Sequence, residues 1–472
     1  MDKYDLIIVG TGFSGSMFLS KYLERFGSSK KILILDRGEM TSHKKMMDTG
    51  DWTTVDLDSL YINKSPRKQW ALKPSFGGNS NYWIANTPRF FPSDFQTKTL
   101  FGVGTDWPIR YEELEQDYSE AEYLIVIAGP DSLAKKSWRS KPYPQPAHIL
   151  SDPDKLMIKA APEHFFPMPT ARASQPTMHR AKCCATTDCM YCPVDAKFRV
   201  GNELMHLYES GNVELKTRAQ VKALDFKNDI VDGVNYIQDG KEYVARGETV
   251  VLAANAVFNS SIMLRSGYQH PYLGKGLMDH PTYYCTVLFD GLENYQGGSR
   301  ETGIGFQLFT EKQRSQYAGC SIETSNVPAL RPEWGRWREV TRLEIIFEDI
   351  PRMENCVEWD KKSDLPIVTY TRHSDYTQKG RDMLPKNLEE FLAPWPVEKI
   401  YLDDEPVPSG AAHIMGTHRM GLDPSTSVVD SGLVHHQYRN LFMLGGGAFV
   451  SPSAVNPSLT MSALSLRAAR LM

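Results

Sequence analysis

Residues 4–36 read YDLIIVGTGFSGSMFLSKYLERFGSSKKILILD. The apolar run before Gly10 predicts a short buried strand, and apolar residues at helical spacing after Gly15 predict a helix. A second apolar run predicts another strand that ends at Asp36. Because a strand, a glycine-rich turn, a helix and a strand follow in this order, the stretch predicts a dinucleotide-binding β–α–β unit.

The glycines and the acid of this stretch each have a chemical reason to be there. Gly10 makes the tight turn, Gly12 lets the backbone approach a pyrophosphate, and Gly15 lets the helix pack closely on the strand. The helix N-terminus presents free N–H groups to the phosphates. Asp36 is placed to accept hydrogen bonds from a ribose hydroxyl. Glycines also mark ordinary turns, and the motif alone does not distinguish FAD from NAD.

Composition sets broad limits on the class of protein. The chain has 472 residues, a hydrophobic content of 41% and a formal net charge of −4. These values exclude a disordered chain and argue against nucleic acid or an anionic membrane as the main partner. No apolar stretch approaches the about 18 residues of a membrane span, and the N-terminus has no signal-peptide pattern. We therefore expect a cytoplasmic protein, although export with a partner that carries the signal stays open.

The rest of the chain predicts a second, inserted unit. Residues 283–310 and 340–371 alternate in a β pattern and predict one antiparallel sheet, covered by a helix interrupted near Pro385. The last sixty residues return to an α/β pattern. We therefore predict an α/β fold in which a Rossmann-like domain is interleaved with an antiparallel-sheet (α+β) substrate domain. The predicted nucleotide domain comprises 1–95, 181–282 and 408–472, and the substrate domain, with a lid or insertion, comprises 96–180 and 283–407.

Four further segments carry a family resemblance along nearly the whole chain. They are GGNSNYWIANTPRF (77–90), LMDHP (277–281), HIMGTHRMG (413–421) and NLFMLGGGAFVSPSAVNPSLT (440–460). Together with the glycine motif, they resemble the glucose–methanol–choline (GMC) oxidoreductases, FAD enzymes that oxidise alcohols and sugars. The branch they look most like is the pyranose oxidases.

The resemblance implies one FAD and a set of residues that hold it. Tyr82 stands where pyranose oxidases carry the histidine that links covalently to FAD, so we expect non-covalent FAD. Ile84 stands where that branch has a threonine near the flavin, which puts oxygen reactivity in doubt. The expected FAD contacts are Gly10, Gly12, Ser14, Gly15, Asp36, Arg37, Gly77, Gly78, Ser80, Asn81, Val221, Ala254, Gly447, Ala448, Pro457 and Ser458.

The C-terminal segments contain a candidate proton acceptor. Taking a hydride from a carbinol carbon requires a base for the hydroxyl proton, and histidine suits that role. A histidine taken alone is more often a satisfied core residue, but the family-like context favours His413 as the base. Asn456 would orient the alcohol and donate to its oxygen. His435 and His436 follow a turn and are expected at the surface.

Cysteines crowd into one loop. Four thiolates within ten residues can hold an iron–sulfur cluster or a zinc ion. The segment also resembles the cysteine-rich stretch of bacterial FAD-dependent sugar dehydrogenases, in which an iron–sulfur cluster receives electrons from the flavin. The match covers the adjacent pair and the third cysteine, whereas the fourth lies one position nearer. A reduced, vestigial or disulfide-bonded loop is the alternative. The candidate ligands are Cys183, Cys184, Cys189 and Cys192.

Together these features predict an enzyme that oxidises a hydroxyl of a sugar, a glycoside or another alcohol. Hydride would pass to flavin N5 with His413 as base, and electrons would leave through the cluster to an acceptor, which could be a protein partner. A dehydrogenase is favoured for that reason. The alternatives are an oxidase that makes hydrogen peroxide, and a flavin-bound isomerase or binding protein without net oxidation.

Overall fold

The computed structural model describes residues 3–65, 67–451 and 453–472. The strands are β1 (Lys3–Val9), β2 (Ile32–Leu35), β3 (Ile62–Asn63), β4 (Ala128–Gly129), β5 (Gln145–Pro146), β6 (Phe165–Pro167), β7 (Val213–Lys216), β8 (Ala219–Lys227), β9 (Ile230–Gln238), β10 (Lys241–Leu252), β11 (Thr282–Phe289), β12 (Glu301–Gly305), β13 (Cys320–Ser325), β14 (Val340–Phe347), β15 (Cys356–Asp360), β16 (Leu365–Thr369), β17 (Val397–Leu402) and β18 (Leu441–Met443). The helices are α1 (Phe13–Phe26), α2 (His43–Thr49), α3 (Thr97–Phe101), α4 (Tyr111–Ile125), α5 (Asp152–Ala160), α6 (Val200–Glu203), α7 (Met205–Tyr208), α8 (Asn255–Arg265), α9 (Glu311–Arg314), α10 (Asp375–Leu392) and α11 (Ser458–Arg470).

A seven-stranded sheet contains the predicted β–α–β unit. Its strands run in the order β7-β2-β1-β10-β9-β8, and β18 pairs with β10. The pairs among β7, β2, β1, β10 and β18 are parallel, whereas β8, β9 and the first half of β10 form an antiparallel meander. Parallel strands of this kind are buried on both faces, which explains their uninterrupted apolar runs. This sheet and its helices confirm the predicted Rossmann-like architecture.

Helices α1 and α11 cover this sheet and connect the two ends of the chain. Met17 and Phe18 of α1 and Leu459 and Leu466 of α11 are fully buried in one hydrophobic core with the strands. The last helix of the chain therefore packs against the first, as an interleaved nucleotide-binding unit requires.

A six-stranded antiparallel sheet forms the second unit, in the order β17-β11-β14-β13-β12-β6. Successive side chains of a strand point to opposite faces. One face carries Tyr283, Ile322 and Ile345, which belong to a hydrophobic cluster with Leu388 and Phe391 of α10. The opposite face therefore carries Tyr284, Glu323 and Glu344, and it borders the cavity described below.

Two details differ from the sequence prediction. Helix α10 runs unbroken from Asp375 to Leu392 with Pro385 inside it. A proline removes one helical hydrogen bond, but the apolar face that α10 buries on the sheet outweighs that loss. In addition, β15 and β16 do not join the large sheet. They form a separate three-stranded sheet with β3, because Ile367 and Val368 pair with Ile62 and Asn63.

Within residues 3–65, 67–451 and 453–472, no helix has an apolar stretch long enough to cross a membrane.

Candidate active site

A cavity of about 510 Å³ lies between the two large sheets. Its wall on one side is formed where the parallel strands end, at Gly10 after β1, Asp36 after β2 and Ala254 after β10. On the other side it reaches Glu323 and Glu344 of the antiparallel sheet. Ligands of open α/β sheets bind at the carboxyl ends of the strands, so the cavity lies where the topology predicts it.

The end of the cavity at the glycine-rich turn has the shape and polarity that a pyrophosphate needs. A Cβ on Gly12 would have open space around it, whereas one on Gly15 would lie 2.1 Å from the carbonyl oxygen of Gly10. No side chain caps the N-terminus of α1, and Oγ of Ser14 is buried without a hydrogen-bond partner in the described chain. Free backbone N–H groups and an unpaired hydroxyl thus face an open space at a helix N-terminus, which fits a dinucleotide.

Thr11 connects three parts of this end of the cavity. Its backbone N–H and its hydroxyl both donate to Oδ2 of Asp36, at 2.8 and 2.6 Å, and its Oγ1 accepts from the N–H of Gly77 at 2.8 Å. A carboxylate has about four lone-pair sites, so Asp36 keeps acceptor capacity for a ribose hydroxyl. Gly78, with φ of +53°, lies against Gly12. The loop of the second motif is therefore fixed onto the first.

The predicted cofactor contacts divide into three groups, of which the third is Gly447 and Ala448. Ten of the sixteen line the cavity, namely Gly10, Gly12, Ser14, Asp36, Arg37, Gly78, Val221, Ala254, Pro457 and Ser458. Gly15, Gly77, Ser80 and Asn81 lie behind the wall and shape it. Ser80, for example, donates to the carbonyl of Gly77 at 2.7 Å and accepts from the N–H of Val200 at 3.1 Å.

The structure does not place Gly447 and Ala448 in the cavity wall. Their neighbours Gly445 and Gly446 line it instead. The chain turns away after them in a short 3₁₀ turn, and the ring of His418 packs against Gly447 so closely that a Cβ there would lie 1.9 Å from the ring. Gly447 and Ala448 stay predicted FAD contacts that lie just beyond the wall of the cavity.

His413 and Asn456 meet at the cavity wall although 43 positions separate them in the chain. Nδ2 of Asn456 lies 3.4 Å from Nε2 of His413, and Nδ1 of His413 lies 2.8 Å from Nδ1 of His280. With the amide nitrogen as donor, Nε2 of His413 is an acceptor. The ring proton of His413 then lies on Nδ1 and is donated to His280. This tautomer leaves Nε2 unprotonated at the cavity wall, so it can take a proton once a substrate hydroxyl replaces the 3.4 Å contact with Asn456.

A carboxylate behind the two histidines holds them in place. Oδ1 of Asp279 accepts from the backbone N–H of both His280 and His413, at 2.8 Å each. Its other oxygen pairs with the ammonium of Lys68. Sequence reasoning quoted the segment that contains Asp279 and His280 but gave neither residue a role, and it did not single out Lys68.

Burial controls the protonation of this pair. Removal from water, and then the positive charge of Lys68, lowers the pKa of His413 to about 3. Burial and the neighbouring His413 lower the pKa of His280 to about 3. Both rings are therefore neutral at pH 7. The neutral form is the one that accepts a proton, so the arrangement can act as a general base.

Comparisons with known proteins agree with this geometry. Models of the GMC oxidoreductase family match residues 146–282 with the N-terminal domain and residues 371–465 with the C-terminal domain. The chain belongs to the GMC oxidoreductases. Members of this family use FAD, and the open turn at Gly12, the uncapped helix and the unpaired Ser14 hydroxyl fit that cofactor. The narrower resemblance to the pyranose-oxidase branch stays a prediction.

This GMC oxidoreductase is similar to named oxidoreductases along nearly its whole length. It is 26% identical to the fructose dehydrogenase large subunit of Gluconobacter japonicus, over 98% of this chain and 97% of the relative. It is 23% identical to paromamine 6'-oxidase of Streptomyces fradiae, over 99% and 91% of the two chains. The crystal structure of pyridoxine 4-oxidase from Mesorbium loti has the same fold, with a TM-score of 0.70, 17% identity and 99% of each chain covered.

The cysteine loop of this GMC oxidoreductase does not assemble as predicted. Sγ of Cys183 lies 3.7 Å from the hydroxyl of Ser299, and Sγ of Cys192 accepts from the N–H of Ala196 at 3.3 Å. Across the described ranges, no group of three or more potential ligands could hold a metal ion. The four cysteines therefore do not fit a cluster as they are placed here. The residues concerned are Cys183, Cys184, Cys189 and Cys192, of which Cys184 is exposed and Cys189 is buried.

The buried histidines predict a fold that is sensitive to mild acid. His280, His418 and His435 are fully buried, which corrects the surface expectation for His435. The pKa of each of these histidines is lowered to about 3, and burial is the largest cause. Unfolded histidine titrates near about 6.5, so below that pH the unfolded chain binds protons that the folded chain cannot bind. We expect the free energy of unfolding to fall by about 1.4 kcal/mol per pH unit for each histidine between about pH 6.5 and 3.

Chemical denaturation at pH 7.0 and 5.5 checks this expectation. Nδ1 of His435 accepts from the N–H of Gln437 and Tyr438, at 3.1 and 3.0 Å, and an asparagine oxygen can replace that acceptor. His435→Asn should therefore reduce the loss of stability between the two pH values by about 1 kcal/mol. The exposed His206→Asn is the control and should leave the loss unchanged. An equal loss in wild type and His435→Asn would show that His435 does not titrate on unfolding.

Proposed function

We propose that this protein is an FAD-dependent enzyme that oxidises a CH–OH group of a sugar or glycoside to a carbonyl, with His413 as the base. The observation that carries the proposal is the unprotonated Nε2 of His413 beside Asn456 at the wall of a cavity with a dinucleotide-binding end. Both named relatives act on sugar-like substrates and support the substrate class.

The chain's own residues would do three things during this oxidation. The carbinol carbon loses a hydride and its hydroxyl loses a proton, so that C–OH becomes C=O. Nε2 of His413 takes the proton, and the side chain of Asn456 orients the oxygen. Oδ1 of Asn456 is buried without a partner in the described chain, which leaves an acceptor for a substrate hydroxyl. FAD, when bound, supplies the acceptor for the hydride.

Behind the base, Asp279 and His280 would hold His413 in its productive tautomer. Nδ1 of His413 donates to Nδ1 of His280, and Asp279 fixes the backbone of both. A positioned base is worth about 100-fold to 10,000-fold in rate. Asp279 and His280 are therefore positioning residues, since they act on the substrate only through His413.

For the re-oxidation half of the cycle we favour a dehydrogenase that passes electrons to an acceptor other than oxygen. The fructose dehydrogenase relative supports this choice, and the paromamine oxidase relative supports the alternative, an oxidase that makes peroxide. Because the four cysteine thiols do not come together, no electron-transfer step is assigned to an iron–sulfur cluster. We also propose the domain division predicted from the sequence. FAD would be held by 1–95, 181–282 and 408–472, and the substrate by 96–180 and 283–407.

Anaerobic addition of a sugar panel to the FAD-loaded enzyme tests the proposal. We expect the flavin absorbance to bleach with at least one sugar and the sugar to appear as a carbonyl product in equal amount. A dye acceptor should then support turnover without peroxide, whereas stoichiometric peroxide in air would establish the oxidase. Iron and sulfide analysis of the same sample decides whether a cluster is present. A flavin that stays oxidised with sugars and simple alcohols would support the isomerase or binding protein instead.

A further inference from the structure

Two buried carboxylates stand side by side on the substrate-facing side of the antiparallel sheet. Glu323 of β13 and Glu344 of β14 are register partners and both line the cavity. They are 1% and 9% exposed. The Cβ atoms of cross-strand partners lie about 4.5–5.5 Å apart, and like charges in such a pair repel.

The two carboxylates lack the partners that such buried groups normally have. Oε2 of Glu323 accepts from Nδ2 of Asn86 at 2.5 Å, but its Oε1 is buried without a hydrogen-bond partner. Glu344 makes no side-chain hydrogen bond or ion pair with any residue that the structure describes. Burying a carboxylate without a partner is costly, so a pair of this kind calls for a counter-charge.

Neighbouring arginines act on the pair only from a distance. Arg172 and Arg300 each form an ion pair with a third carboxylate, Glu301, at 3.0 and 2.7 Å. The guanidinium of Arg342 lies over the ring of Tyr284, 3.6 Å from its centre. The charges of these arginines reach the pair without a hydrogen bond or ion pair to it, and none of the three lines the cavity.

Protonation of the pair is consistent with a missing cation. Burial, followed by the charge of Glu344, raises the pKa of Glu323 well above its usual range. Burial and the charge of Glu301 raise the pKa of Glu344 to about 7. Without a cation the pair holds protons near neutral pH, and a bound cation would let both groups ionise.

The pair lies in the same cavity as the proposed catalytic residues. Ser321, two residues before Glu323 on the same face of β13, donates to the carbonyl of Ala454 at 2.5 Å, two residues before Asn456. Tyr284, the register partner of Glu344, follows His280 by four residues. Both carboxylates, His413 and Asn456 line this one cavity, so a single bound substrate has access to both sets of side chains.

We propose that Glu323 and Glu344 form a subsite for a protonated amine of the substrate, so that the enzyme prefers an amino sugar or another amino alcohol to a neutral one. An ammonium has three donors and can bond both carboxylates at once. The subsite deepens the proposed oxidation and rests on it only for the identity of the reaction, since amine binding can be measured without turnover.

Calorimetric binding to the FAD-loaded enzyme tests the subsite with two matched pairs of probes. Glucosamine and glucose differ in one ammonium against one hydroxyl, and n-propylamine and n-propanol differ in the same way. We expect the amine to bind at least 10-fold more tightly in at least one pair. Glu323→Gln and Glu344→Gln should reduce that ratio towards one. Glu389→Gln, on the exposed face of α10, is the matched control and should leave it unchanged.

The outcomes separate the subsite from the proposed reaction. Equal affinity of amine and alcohol in both pairs, or a preference that survives both Gln variants, would overturn the subsite. Preferential amine binding without flavin reduction by any alcohol would support the subsite and count against the oxidation. Rapid flavin reduction by neutral sugars with no preference for amines would support the oxidation and overturn the subsite.

Discussion

Replacement of His413 by alanine should lower the limiting rate of anaerobic flavin reduction by about 100-fold to 10,000-fold, while FAD stays bound. The reason is the position of Nε2. It faces the cavity as an acceptor, because Asn456 donates to it and the ring proton is held on Nδ1 by His280. Without the imidazole, the hydroxyl proton loses the acceptor that lies beside Asn456.

Stopped-flow reduction with a saturating substrate measures this effect, and the flavin absorbance of the purified variant measures cofactor content. His413→Gln keeps polar volume but cannot take a proton, so it should be impaired as strongly as His413→Ala. His206→Asn, at an exposed position, is the control and should reduce at the wild-type rate. A His413→Ala enzyme that reduces its flavin at an unchanged rate would remove His413 from the mechanism.

The nucleotide-binding half of the fold could be predicted because its information is local. A strand, three glycines, a helix and an acid lie within residues 4–36, and each chemical requirement is met by near neighbours in the chain. The same stretch predicts the cavity wall, since Gly10 and Asp36 follow the carboxyl ends of adjacent strands. Residues that are near neighbours in the chain stay near neighbours in the folded protein, so such a pattern predicts the local structure directly.

Residues that meet across long separations could not be predicted in the same way. Asp279 and His280 lie more than 130 positions from His413, and long-range contacts such as the pairing of Met278 with Met415 bring the two segments together. Glu323 and Glu344 lie on strands that are buried on both faces, so the β pattern of the sequence does not show which face meets the cavity. The cysteine cluster is not supported either, because the four cysteines are close in sequence but form no group that could hold a metal ion among the described residues.

Replacement of Gly12 by alanine should weaken FAD binding by at least 10-fold and leave the fold intact. A Cβ on Gly12 meets no protein atom within 4 Å, and Gly12 has an extended backbone that alanine can adopt. The added methyl would therefore disturb nothing in the protein. It would enter the space that the pyrophosphate must occupy next to the N-terminus of α1. A 10-fold loss of affinity corresponds to about 1.4 kcal/mol.

Variants of two other glycines separate a loss of FAD affinity from a loss of stability. Gly211→Ala is the control, because its Cβ also meets nothing within 4 Å but lies away from the cavity, and it should bind FAD normally. Gly15→Ala places a methyl 2.1 Å from the carbonyl oxygen of Gly10, so it should lose stability as well as FAD. Titration of the apoprotein with FAD gives the affinity, and thermal unfolding of the apoprotein gives the stability. Wild-type affinity in Gly12→Ala would mean that the pyrophosphate does not lie against this turn, and the cofactor would then have to bind elsewhere in the cavity.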